Sequence, residues 1–276
     1  MGRARSVGDY FRAALLIGLM ALWLFPTLFM LGNSFSPTAQ FSRDPPALIP
    51  DSLAFSHYQK ILSLKLLPRW IVNSLIVAAV QVVAAIMVNG MAGYVFAFCR
   101  KRWTKVLFWT LMIPIFVSGY VLLVSQFVVV AKLGLRGLPA IYIMGIFWPT
   151  GIFLFRNHFK SISPGMVESA RIDGASEFTT FLRIILPLSG PIVGLSVVMI
   201  GMASFQSFLW PYLNLRVPEQ QTYLVGLMLN AVNVYAVKDV GRDMAIGIMA
   251  FIPYLLIYVF ASRYFIGGAM AGALKE

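Results

Sequence analysis

Few side chains in this chain are equipped for covalent or metal chemistry, and they are scattered. There are two histidines, His57 and His158, and one cysteine, Cys99. Two distant histidines and a lone thiol lack metal-ligand spacing, and a single cysteine excludes an internal disulfide. His57 is expected at the surface of a polar connector, and Cys99 in packing at the end of an apolar run. No stretch reads G-x-x-x-x-G-K-[ST], so no loop cradles a nucleotide phosphate. Any ATP hydrolysis must sit on another chain. Uncharged polar residues are better placed. Asn73, Gln81, Asn89, Ser125, Gln126, Ser204, Gln206, Ser207 and Asn214 fall within or beside long apolar runs. In a bilayer such groups face other helices or a water-filled path. No Asp or Glu falls inside a predicted span. Proton- and sodium-coupled carriers commonly place carboxylates at membrane depth, so the absence weighs against that class.

The elements that must position these residues are membrane helices. The chain has 276 residues, 59% of them hydrophobic and only 12% charged, which fits a polytopic membrane protein and no soluble domain. The net charge of +12 would suit a nucleic-acid partner. The basic residues, however, lie in short clusters between apolar runs, which is the positive-inside pattern, and no nucleic acid is expected. The fold class is all-α, a single transmembrane domain with six spans at about 13–33, 70–98, 106–130, 139–156, 190–212 and 244–265. Pro26 is expected to kink the first span, and Pro114 sits inside the third. The first run is too long for a signal-peptide core and is read as retained. Arg100, Lys101, Arg102 and Lys105 follow the second span, and Arg156, His158 and Lys160 the fourth. Both clusters belong in the cytoplasm, which puts both termini there.

The loop 157–189 is too apolar for an ordinary connector and too interrupted to cross a membrane. Ser163 and Pro164 mark a helix start. Asp173-Gly174 ends that helix, because glycine accepts the left-handed geometry of a helix terminus. A second helix is expected to begin at Ser176 and Glu177 and to stop at Pro187. Phe178, Phe181, Leu182 and Ile185 recur at helical spacing and form one apolar face. That face packs on its own protein, lies at the lipid interface or takes a partner.

The same run resembles the cytoplasmic loop signature of permease subunits of binding-protein-dependent ABC importers, in their carbohydrate, maltose-type branch. Glu168, Ala170, Asp173, Gly174, Ala175, Phe181, Ile184, Leu186, Pro187 and Pro191 match, and Ser169 replaces one alanine. The resemblance extends further. Leu48-Ile49-Pro50 with His57-Tyr58, Asn73 to Ala78, and Ala92 to Ala97 are similar to segments of the same family, as is the tail from Gly268 to Lys275. So is Phe205-Gln206-Ser207-Phe208-Leu209-Trp210-Pro211, with Gln206 at the usual Asn and Phe205 at the usual Trp. An amide among aromatic rings suits a sugar, whose hydroxyls need hydrogen bonds and whose C–H faces stack on rings.

The resemblance implies the type I ABC importer permease fold in a bacterial or archaeal plasma membrane. It implies that Glu168, Ser169, Ala170, Asp173, Gly174 and Ala175 couple the chain to an ATPase subunit. It implies a substrate path with Phe205, Gln206, Ser207, Trp210, Asn73 and Gln126 as candidates. Partners would be a second permease, two ATPase subunits carrying ATP and Mg, and an external substrate-binding protein. This chain itself would be no enzyme and would hold no metal. The alternative is a self-contained carrier or channel for a small polar solute.

Overall fold

The first apolar run folds as α1, Val7–Asn33, which passes Pro26 without a break. The computed structural model describes residues 7–37, 40, 50–99, 101–233 and 239–273. Leu48, Ile49, Arg100 and Lys238, with the side chains from 261 onward, Arg263 and those of Gly268 to Lys275 included, lie outside the described residues. Described residues are helical or in turns, with no strand among them. They fall into two compact units, Met1–Leu67 with Leu227–Ile252 and Pro68–Gly226 with Pro253–Glu276.

In the first unit α1 exposes its apolar side chains all round, Leu15, Ile17, Leu19, Met20, Leu22 and Trp23 among them, which suits an apolar medium. Its C-terminal end is held by polar contacts to α2, Ser56–Leu62. Ser34 Oγ lies 2.7 Å from the Tyr58 hydroxyl. The His57 ring is only 1% exposed, with Nε2 3.0 Å from the Ser36 carbonyl oxygen. His57 is therefore a buried strut and not the surface residue expected. Phe35 packs against both Phe55 and Tyr58, which lie beside His57 in sequence.

The second unit is built on α3, Leu67–Phe98, close to the span expected at 70–98. The span expected at 106–130 is instead two helices. α4, Arg102–Met112, tightens into a last turn over Ile113–Phe116, and α5, Gly119–Lys132, leaves at 111°. Pro114 has no N–H to continue the ladder, and Val117 is extended, so the chain turns there. The fourth expected span is also broken, into α6, Leu138–Met144, and α7, Pro149–Phe159, at 42°. A break at membrane depth frees backbone groups that water cannot satisfy. Asn89, fully buried on α3, satisfies two of them: it donates to the Ile146 carbonyl at 2.8 Å and accepts from the Trp148 N–H at 3.0 Å.

Next come α8, Pro164–Ile172, and α9, Glu177–Leu188. α10, Gly190–Gln206, follows at 86° to α9, and then α11, Leu209–Asn214. α12, Tyr223–Asn233, and α13, Val240–Ala273, complete the chain. α13 runs on through the expected tail glycines. Among the described residues three helices are long and apolar enough to cross a membrane alone, and the number rises to six if each bent pair is one span.

The core of the second unit gathers Tyr94, Phe155, Phe159, Val167, Phe181, Ile185 and Ile192. Gly93 makes it possible. A Cβ there would lie 2.7 Å from the Phe155 Cβ and 3.0 Å from the Arg156 nitrogen, so only a bare backbone lets α3 and α7 approach this closely.

Candidate functional site

The loop between α7 and α10 forms the helix–turn–helix that its sequence dictates, with its ends set by different devices. Pro164 opens α8 in the first turn, while the Ser163 side chain makes no cap bond. The other end is a full left-handed cap. Gly174 has φ +80°. The Gly174 N–H reaches the Arg171 carbonyl at 3.1 Å, and the Ala175 N–H reaches back to the Ala170 carbonyl at 2.9 Å. A Cβ on Gly174 would meet nothing within 4 Å, so the glycine is required by backbone conformation and not by space. Ser176 then caps α9 by accepting from the Thr179 N–H at 3.2 Å.

α9 continues one residue past Pro187, where a stop was expected, and breaks at Ser189. A wide turn over Phe181–Ile185 spreads the backbone ahead of the proline, which relieves the clash of its ring with the carbonyl four residues back. The Ser189 hydroxyl donates to the Ile185 carbonyl at 2.7 Å and closes the end.

The apolar stripe of α9 divides. Phe181 and Ile185 are buried in the core, Leu182 is half-buried against it, and Phe178 remains exposed. α8 rests on the same core through Val167, and Ala170 is buried on the same helix. Its outer side carries Met166, Glu168, Ser169 and Ile172. Ile172 is 85% exposed, more than any other large apolar side chain described in the second unit. Of the six residues expected to couple, Glu168, Ser169, Asp173 and Gly174 are exposed, Ala175 is half-buried and Ala170 faces inward. The exposed large apolar side chains of this loop are thus Met166, Ile172, Phe178 and Leu188, and of the stripe the periodicity singled out only Phe178 is among them.

One contact fixes α8 against α9 and was not read from the sequence. Arg171 grips the Glu177 carboxylate through two hydrogen bonds, of 2.7 and 3.2 Å, and the Tyr94 hydroxyl of α3 donates to the same carboxylate at 2.5 Å. Residues six apart are not helix-face neighbours, and the turn at Gly174 is what brings this pair together. Arg171, and after it Tyr94, hold the Glu177 carboxyl below its ordinary range. Nearby, Arg156 reaches the Phe96 carbonyl and lies 4.2 Å over the Phe108 ring, which ties α7 to α3 and α4. Desolvation, with Arg156 and Lys105 close by, lowers the ammonium pKa of Lys160.

A cavity of about 650 Å³ lies among α3, α5, α6, α10 and α11. Gln126, Gln206, Ser207 and Trp210 line it, as expected of a solute path. Phe205 and Asn73 do not. Asn73 is turned to the chain before α12 and donates to the carbonyls of Glu219 and Gln221, both at 2.9 Å. Gln81 lines the cavity but is committed: it accepts from the Ser204 hydroxyl at 2.5 Å and donates to the Ile141 carbonyl at 2.9 Å. The Trp210 indole N–H donates to the Ala140 carbonyl at 3.1 Å, which holds its ring at the wall. Gln206 is exposed, with no such commitment. The cavity therefore presents an amide, a hydroxyl and aromatic faces, a set suited to a polyhydroxylated solute.

Residues 81–265 match the family described as binding-protein-dependent transport system inner membrane component. The chain belongs to this family. It is a multi-pass inner-membrane transport component and not an enzyme. It is 28% identical to an arabinooligosaccharides transport system permease protein of Halalkalibacterium halodurans, over 91% of each chain. It is 30% identical to a trehalose/maltose transport system permease protein of Thermococcus litoralis, over 96% of this chain and 97% of that one. In fold it is similar to a crystallised bacterial ABC transporter involved in the import of the acidic polysaccharide alginate. The TM-score is 0.79 at 22% identity, over 96% of this chain and all of that one. The permease fold expected from the loop signature is thus established.

Proposed function

We propose that this permease forms, with a second permease subunit, the path by which a sugar enters the cell, a di- or oligosaccharide above all. The observation that carries the reading is α8, a short helix held at a fixed angle by the Gly174 cap and the Arg171–Glu177 pair, with Ile172 bare at its outer side. Two ATPase subunits carry the ATP and Mg that this chain has no loop to bind, and one of them receives α8 in a groove. An external binding protein delivers the sugar. The chain crosses the membrane six times as one permease domain, with both termini in the cytoplasm. Closure of the ATPases moves α8, and the core around Phe181 carries the motion into α3, α7 and α10. Coupling requires that α8 make different contacts in the nucleotide-bound and nucleotide-free states. Gln126, Gln206, Ser207 and Trp210 line the solute path.

The relatives support the sugar class, since those named above carry arabinooligosaccharides and trehalose or maltose. The test is uptake into vesicles of radiolabelled maltose and arabinobiose. Uptake is expected only with both permeases, the ATPase, the binding protein and ATP together. ATP-independent uptake by this chain alone would refute the proposal in favour of a self-contained carrier.

A further inference from the structure

A second cavity, of about 570 Å³, lies between the turn after α5 and the segment after α11. Arg136 and Arg216 line it, with the side-chain amides of Asn214 and Gln220. Phe127 lines it as well, and stands edge-on to Trp210 of the first cavity, ring centroids 6.4 Å apart. One aromatic pair therefore stands between a basic cavity and the polar one.

The turn that carries Arg136 is shaped for this place. Gly134 and Gly137 have φ of +72° and +67°, conformations other residues rarely hold. A Cβ on Gly137 would lie 2.7 Å from the Gln220 amide oxygen, so the bare glycine lets the turn close on the 213–220 segment. Among the described residues neither arginine forms an ion pair. Both arginines are exposed to solvent, and their planar guanidinium forks fit carboxylate and phosphate oxygens. The lining is also rich in donors. Arginine only donates, and Asn214 already gives one N–H to the Trp210 carbonyl at 2.9 Å. The two guanidinium groups suit a group that only accepts, and the amide oxygens of Asn214 and Gln220 leave acceptors beside them for sugar hydroxyls.

We infer that this cavity is an anion subsite on the solute path, taking a carboxylate or phosphate carried by the transported sugar before the sugar passes Phe127 and Trp210. The inference rests on the reading of the chain as a sugar permease with the 132–137 turn outside. It adds acidic sugars, uronates or sugar phosphates, to the solutes that the path takes.

The test uses the full transporter, purified with its partner subunits. Galacturonate and inorganic phosphate are titrated by isothermal calorimetry at low salt, with galactose as the neutral control. Both anions should bind in competition with each other, and galactose should not compete. Arg136→Gln and Arg216→Gln should each weaken anion binding about tenfold, as expected for loss of a charge-assisted bond. The double variant should lose it while still copurifying with its partners. High salt should weaken it too. Failure of the wild-type complex to bind either anion overturns the proposal, as does equal binding by the double variant. It also falls if the double variant binds anions normally but no longer responds to the binding protein, for then the arginines meet an acidic side chain of that protein. Orientation is read separately. Arg216→Cys, in a Cys99→Ser background, should react with a membrane-impermeant maleimide from outside. Reaction only from the cytoplasmic side contradicts the topology, and with it the solute role, even where the anions bind.

Discussion

Gly174 is the residue on which the loop geometry turns. Its φ is +80° and open space surrounds its missing Cβ, so the effect of a side chain there comes from the backbone alone. A β-branched residue should cost about 1–2 kcal/mol in the left-handed conformation. Gly174→Val should swing α8 from its angle and lower ATP-driven uptake about tenfold or more, whereas Gly174→Asn, which tolerates that conformation, should keep most of it. Uptake assays on the two variants, expressed at equal level, check this; equal loss in both would mean that volume matters and conformation does not. Gln206 makes the second residue-scale expectation. It faces the larger cavity with its amide uncommitted, unlike Gln81. Gln206→Leu should therefore change the KM for sugar uptake and leave subunit assembly intact. Unchanged kinetics for every transported sugar would remove it from the path.

At the scale of the element, α8 and α9 behave as one piece because Arg171, Glu177 and Tyr94 lock them. The Glu177 carboxyl is held below its ordinary value of 4.5 in the folded state, first by the hydrogen bonds from Arg171 and then by Tyr94. A depressed carboxylate contributes stability above its unfolded pKa and loses it as pH falls through the folded one. Order in the loop should therefore stay constant from neutral pH down to about 4.5 and decline only in stronger acid. Amide hydrogen exchange at Gly174 and Ala175, corrected for its intrinsic pH dependence, should show this, and Glu177→Gln should exchange faster than wild type near neutral pH, with the difference closing in strong acid. The pair is exposed, so its contribution is modest, and the core beneath it does most of the holding. Phe181 is buried at 1% exposure between Tyr94 and Phe159, and truncation of such a ring typically costs about 3–5 kcal/mol. The same logic of support from neighbours explains the broken helices. Each break frees backbone groups, and a polar side chain such as Asn89 must be waiting to take them.

For the whole molecule, the local signals were legible and the long-range ones were not. Asp173-Gly174 announced a left-handed helix end because that requirement is local. The apolar run of α3 announced its own length for the same reason. The 111° turn after Pro114 was hidden, since apolar composition is the same on both sides of it. His57 read as a surface residue because its partner, the Ser36 carbonyl, lies 21 positions away and leaves no pattern. Likewise the period of Phe178, Phe181, Leu182 and Ile185 marked a face but not what covers it, and the core claims most of that face. What remains uncovered is the outer side of α8, and the account stands on that side being the contact with the ATPase. The most direct measurement places cysteine at Ile172 in a Cys99→Ser background, labels it with a maleimide–benzophenone and photocrosslinks the assembled transporter, with and without ATP. Ile172→Cys should crosslink to the ATPase subunit in high yield, the yield should change on ATP binding, and Gly174→Val should reduce it together with uptake. An Ile172→Cys chain that transports normally and never crosslinks to the ATPase, or a Gly174→Val chain that crosslinks and transports as the wild type does, would contradict the account.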